Sequence, residues 1–140
     1  MARGHLLGPR PTSSGSIAAI ELIRIVAALL VLAHGAYRAA SGGYVPFGQW
    51  LEGQGFPYGL GWALLVTGIE LIGPVAILLR RYVLPFSLLH MIILSLGLWL
   101  VHRPEGWFVV GAGRNGMEYS VLLIACFAAV AWAYRPRGRR

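Results

Sequence analysis

The sequence predicts an all-α integral membrane protein: a four-helix bundle running up-down-up-down, with short interfacial helices in its two outer loops. Three observations predict it. Hydrophobic residues make up 57% of the 140-residue chain and charged residues 12%, about half the charged share of an ordinary soluble domain. Four apolar stretches each come close to the roughly 20 residues that a bilayer core requires. The arginines sit at the ends of those stretches rather than along one face. The length allows one domain and is too short for two ordinary ones.

Residues 1–15 hold Pro9, Pro11 and several glycine and serine breaks, so a flexible cytoplasmic tail is expected there. The transmembrane domain is expected over residues 16–134. Ser16 is a candidate helix cap, and Ile17 to about Ala40 forms the first span. Glu21 and Arg24 inside it argue against a secretory signal, whose apolar core is shorter and uninterrupted. Residues 41–57 are rich in glycine and aromatics. Phe47, Trp50 and Leu51 at helical spacing suggest one short helix along the headgroup surface. Tyr58–Leu79 is the second span, stopped by Arg80 and Arg81. A tight hairpin then forces an antiparallel return into the third span, Tyr82–Val101. Residues 102–116 make another glycine-rich interfacial connection, Met117–Tyr134 is the fourth span, and residues 135–140 form a basic cytoplasmic tail. Trp62, Trp99, Trp132 and Tyr134 fall near span ends, where aromatic belts form.

The two tails and the hairpin carry eight arginines, and the opposite loops carry three, Arg38, Arg103 and Arg114. The positive-inside rule therefore places both termini in the cytoplasm, and the expected location is a bacterial inner membrane. The net charge of +7 arises without a single lysine or aspartate, which fits a coding bias better than a phosphate-binding surface. Nucleic acid is not an expected partner, because the arginines are not gathered on one wetted face. Cys126 stands alone, excluding an internal disulfide and any CxxC couple. The sequence has no phosphate-binding loop, nucleophile elbow or nucleotide fingerprint. His90 has no histidine partner at its own depth, as haem would need, so no intrinsic cofactor is expected.

The informative residues are those that hydrocarbon penalises: Glu21, Arg24, His34, Glu70, His90 and Glu118. An ionised side chain at a helix centre costs about 2.5–3.5 kcal/mol on insertion scales, so these groups are expected to face one another or a cavity. Glu70 lies about ten residues before Arg80, roughly 15 Å from the cytoplasmic end and hence near the midplane. Pro74 withholds a donor from the Glu70 carbonyl, and Gly68 and Gly73 are expected to clear space around the carboxylate. His90 lies at a similar depth, where it could share a proton with Glu70; Gly97 falls on its face. The alternatives are a glutamate acting as interhelical glue and a histidine bonded to a backbone carbonyl. Arg24 is expected to pair with Glu21 or Glu70, or else to snorkel to the headgroups. His34, His102 and Glu118 form a secondary outer cluster. Glu118 also suits the N-terminal end of a helix dipole; it shares a face with Ala125 and Ala129, and the small-residue stripe of Ala125, Ala129 and Ala133 is expected to look inward. No close ligand spacing such as HxxxH is present, so no metal is expected.

The segments ELIRIVAALLVLAHG, GIELIGPVAILL, a histidine within the third span, and NGMEYSVLLI together resemble the DoxX family of small four-helix membrane proteins. The resemblance covers residues 20 to about 134 and places the family's recurrent polar positions at Arg24, Glu70, His90 and Glu118. The family is related to a subunit of a thiosulfate:quinone oxidoreductase. The resemblance therefore implies an accessory or membrane-anchor subunit of a quinone-linked redox complex, with Arg24, Glu70, His90 and Glu118 as a polar intramembrane site for a bound quinone. Its implied partners are the lipid bilayer, a soluble redox or sulfur-handling protein, and further copies of the chain as a homo-oligomer. Two other readings stay open: a structural or assembly factor for a membrane complex, and a small proton-coupled transporter.

Overall fold

The computed structural model describes residues 12–111 and 113–136. The first eleven residues of the expected N-terminal tail and the last four of the basic tail lie outside them. Among the described residues there are five α-helices and no strand: α1 (Ser13–Ala40), α2 (Tyr44–Gly53), α3 (Gly59–Leu78), α4 (Val83–Gly97) and α5 (Glu118–Ala133). A π-helical turn (Leu98–His102) prolongs α4 and a 3-10 turn (Arg103–Glu105) follows it. Three stretches are long and apolar enough to cross a membrane, Ser13–Ala40, Gly59–Leu78 and Val83–Glu105. The fourth apolar helix, α5, has 16 residues.

Helix α1 begins earlier than the sequence suggests. Thr12, not Ser16, is its cap, and the Thr12 hydroxyl accepts from the Gly15 amide at 3.1 Å. Satisfying that amide locally lets residues 13–15, expected in the tail, join the helix. The stretch after α4 departs in the other direction: it leaves α-geometry after Gly97, and among the described residues the connection to α5 contains only the 3-10 turn in place of the expected short interfacial helix.

The α3–α4 hairpin is closed by backbone hydrogen bonds. Arg80 adopts a left-handed conformation at φ 56°. Its amide donates to Ile77 O at 3.0 Å, and the Arg81 amide donates to Ala76 O at 2.8 Å. This pair of bonds satisfies carbonyls that the helix end leaves open, a job usually given to glycine. Tyr82, at φ 52°, then starts α4 in the opposite direction.

Named contacts fix how the helices neighbour one another. Gly35 of α1 lies against Glu70 of α3, while Arg24 near the start of α1 meets Ile77 and Leu78 at the end of α3, so these two run antiparallel. Gly73 of α3 abuts the His90 ring of α4, and that ring stacks on Phe127 of α5 at 5.2 Å. Tyr134, after α5, returns to Glu21 of α1. The shared core is Ala27, Ala28, Val31, Ile77 and Phe127. Alanines on α1 let the backbones approach closely, as dispersion-driven packing in lipid requires.

The inward face of α5 is Ser120, Leu123, Phe127, Val130 and Ala131. The stripe of Ala125, Ala129 and Ala133 turns away from the core, contrary to the sequence reading: Ala125 and Ala133 are exposed and Ala129 half-buried. Phe127 and Leu123 bury more apolar surface than three alanines, and they decide which side of a nearly uniformly apolar helix faces inward.

Helix α2 is held onto α3 by two glycines. A Cβ on Gly48 would lie 2.7 Å from the Leu60 Cα, and one on Gly59 would lie 2.7 Å from the Glu52 Cγ. The Glu52 carboxylate accepts from the Gly59 amide at 3.1 Å, satisfying a donor at the start of α3. Gly48→Val should therefore lower stability by about 1–3 kcal/mol through overpacking, read as a lower unfolding temperature in detergent. Gly53→Ala on the same helix, where an added Cβ meets nothing within 4 Å, should leave that temperature unchanged.

Candidate functional site

The sequence distributes its interior polar groups along the bundle, and the structure sorts them into two charged clusters with a histidine between. Glu70 carries the first. It is 6% exposed, and its Oε2 accepts from Arg38 Nη1 at 2.8 Å. Gly35 makes this pairing possible. A Cβ at that position would stand 2.8 Å from the Glu70 Cβ and 3.1 Å from its carbonyl oxygen, so only glycine lets α1 lie flat against this turn of α3. Side chains on a helix lean toward its N-terminus. Arg38, three residues beyond Gly35, therefore folds back over the contact and reaches the carboxylate.

Arg38 gathers further partners. The same nitrogen lies 3.4 Å from Thr67 Oγ1, and Thr67 in turn donates to Ala63 O at 2.7 Å. Nη2 lies 2.7 Å from His34 Nε2. Phe47 of α2 covers the guanidinium face, with Arg38 Cζ 4.7 Å from its ring centroid. Phe47 thus serves the cation as well as stacking on Trp50. A guanidinium carries only donors, so His34 Nε2 must accept. The ring proton of a neutral His34 is thereby placed on Nδ1, on a side chain that is exposed.

The second cluster lies at the end of the protein where α1 begins and α3 and α5 end. Arg24, 3% exposed, pairs with Glu21 at 2.8 Å. Its Nη1 donates to Ile77 O at 2.5 Å and Leu78 O at 3.2 Å, placing a positive charge on the negative end of the α3 dipole. Of the three options the sequence left for Arg24, the structure selects Glu21. Glu21 also accepts from Arg80 Nη2 at 2.7 Å and from the Tyr134 hydroxyl. One carboxylate so joins α1, the α3–α4 hairpin and the residue that follows α5. The bond to Glu21 holds the exposed Arg80 guanidinium above its ordinary pKa.

His90 is separate from both clusters. It is 1% exposed, its Nδ1 lies 2.6 Å from Phe86 O, and its Nε2 and the nearby Ser87 Oγ have no partner among the described residues. The structure does not pair it with Glu70. The i−4 carbonyl holds the ring, and Gly73, three residues past Glu70, provides its room: a Cβ there would sit 2.5 Å from His90 Cε1. Gly68, expected to clear space around Glu70, and Gly97, expected beside His90, face open space.

Each of the outer residues has a partner of its own. Glu118 Oε1 accepts from the Val109 amide at 2.9 Å, and its own amide donates to Trp107 O at 3.1 Å. It fastens the connection between α4 and α5 to the head of α5. His102 Nδ1 lies 2.8 Å from Asn115 O, and His34 is engaged by Arg38. Among the described residues no three histidine, cysteine or acidic side chains form a group suited to a metal ion.

Sequence reasoning missed Arg38, Thr67 and the junction role of Glu21. Arg38 was counted among the loop charges that set topology. Its i,i+4 spacing from His34 and the glycine between them were the available signals.

A hydrophobic double replacement separates pairing from packing. Glu70→Leu strands Arg38 without its counter-charge and should lose about 3–5 kcal/mol of stability. Arg38→Met combined with Glu70→Leu should recover most of that loss, measured by unfolding in mixed detergent.

Compared with known families, the chain matches DoxX over residues 19–103. No curated protein and no solved structure matches it.

Proposed function

Because the chain belongs to the DoxX family, we propose that it is an accessory or membrane-anchor subunit of a quinone-linked redox complex. In this reading α1, α3, α4 with its π-helical extension, and α5 form a four-helix bundle running up-down-up-down in a bacterial inner membrane, with both termini cytoplasmic. The three long apolar stretches and the excess of arginine at the termini and hairpin support that placement. Helix α2 then lies at the outer interface, where Trp50 and Phe47 suit the headgroup level.

The observation that carries the reading is the hydrogen bond between Arg38 and His34. It connects a buried ion pair to an exposed imidazole whose remaining ring proton has no use inside the cluster. A quinone head group presents carbonyl oxygens, which are acceptors, and His34 Nδ1–H is a donor of fitting kind. Glu70 fixes Arg38, Arg38 fixes the imidazole, and the imidazole meets the head group. The role assigned to Glu70 is thereby indirect, and the site becomes Glu70, Arg38 and His34. Electrons would come from a partner protein, since no residue of this chain carries them.

The experiment is a titration of the purified protein in nanodiscs with a short-chain ubiquinone or menaquinone analogue. His34→Ala, which removes one exposed hydrogen bond, should weaken binding about tenfold with little change in unfolding temperature. A wild-type protein that neither retains quinone on purification nor binds the analogue overturns the reading.

The second reading, a structural or assembly factor, is favoured by Arg24. Its guanidinium is spent entirely on Glu21 and the α3 carbonyls, as expected of a group that holds helices together. Under that reading a partner's abundance collapses when this chain is removed and is unaffected by His34→Ala.

A further inference from the structure

We propose that the groove between the start of α1 and the end of α5 is a binding site for an anionic phospholipid. The groove is open along one side, is lined by Ser16, Ile17, Ile20, Ala129, Trp132 and Ala133, with Glu21 and Tyr134 also on its wall, and offers about 670 Å³.

The mismatch of the two helices creates it. Tyr134, just past the end of α5, bonds to Glu21, which lies eight residues into α1. The opening turns of α1 therefore project about 12 Å past their neighbour. Ile17 is left 63% exposed, and the outward alanine stripe of α5 supplies a smooth opposite wall. An acyl chain fits such a surface.

Charge complementarity selects the head group. The Glu21 carboxylate is already matched by Arg24, Arg80 and the Tyr134 hydroxyl, so this end keeps an excess of positive charge. Arg80 is 65% exposed at its side chain, leaving nitrogens for a second acceptor. Arg135 Cζ sits 3.8 Å from the centroid of the Trp132 ring, directly beside the groove. Guanidiniums recognise phosphate through paired donors, and basic pockets between membrane helices favour anionic lipids. Trp132 and Tyr134 mark the depth at which a glycerol backbone would lie.

The test uses detergent-solubilised full-length protein titrated with brominated-chain phosphatidylglycerol or brominated-chain phosphatidylcholine. Tryptophan fluorescence is followed, and Trp132→Phe isolates the Trp132 component. That component should be half-quenched at an about fivefold lower concentration of the anionic lipid. Arg135→Gln, which touches no buried group, should shrink the preference, and Ala129→Phe should fill the groove and abolish quenching by both lipids. Equal quenching by the two lipids overturns the proposal, as does a preference that survives both substitutions. A concentration-dependent dimer whose Trp132 is shielded from either lipid gives the groove to a second copy and equally overturns it.

Discussion

A carboxylate as buried as that of Glu70 is stabilised by a cation beside it, and the arrangement of the helices around it follows from supplying one. The cation comes from Arg38, near the far end of α1, and reaches Glu70 because Gly35 removes the side chain that would hold the helices apart. Phe47 of α2 covers the guanidinium, so the small helix is tied to the ion pair as well as to α3. Without a residue as slim as glycine at position 35, neither the crossing of α1 and α3 nor the seat of α2 would take its present form.

The opposite end solves the same physical problem with different parts. There the acid is on α1 and its cations come from α1 and the hairpin, while a phenol arrives from the residue after α5. Arg24 also occupies the carbonyls that α3 leaves open, so one side chain neutralises a charge and finishes a helix. In hydrocarbon, every open backbone group must find an internal partner. Polar residues at both ends thus act as clamps between helices whose apolar surfaces give little orientation of their own. His90 differs in kind: with one nitrogen on its own helix and an aromatic ring against its face, it behaves as a core residue.

Much of this was legible in the sequence. The helical class, the long apolar stretches and the family resemblance could all be read from hydropathy and motif order. The need for a companion to Glu70 followed from its depth alone. The identity of that companion did not, because depth was measured along each helix from its own end, whereas Arg38 works by leaning back a full turn. His90 was paired with Glu70 on equal depth, yet facing direction decides contact. Likewise the alanine stripe of α5 suggested an inner face that the larger Phe127 and Leu123 claimed. In a helix apolar on every side, periodicity carries little information about which side is in, and bulk has to be weighed against smallness.

The π-helical turn at Leu98–His102 has a bearing on how this part of the chain tolerates change. A turn of that kind accommodates one residue more than a regular helix, and each residue of an α-helix advances the azimuth by about 100°. His102, the last residue of that turn, bonds to Asn115 O and so ties the turn to the connection leading into α5. Length variation between Leu98 and His102 is therefore felt as rotation rather than as slack. The stretch works like a spacer shim, and evolution could trim it only by re-aiming everything between it and α5.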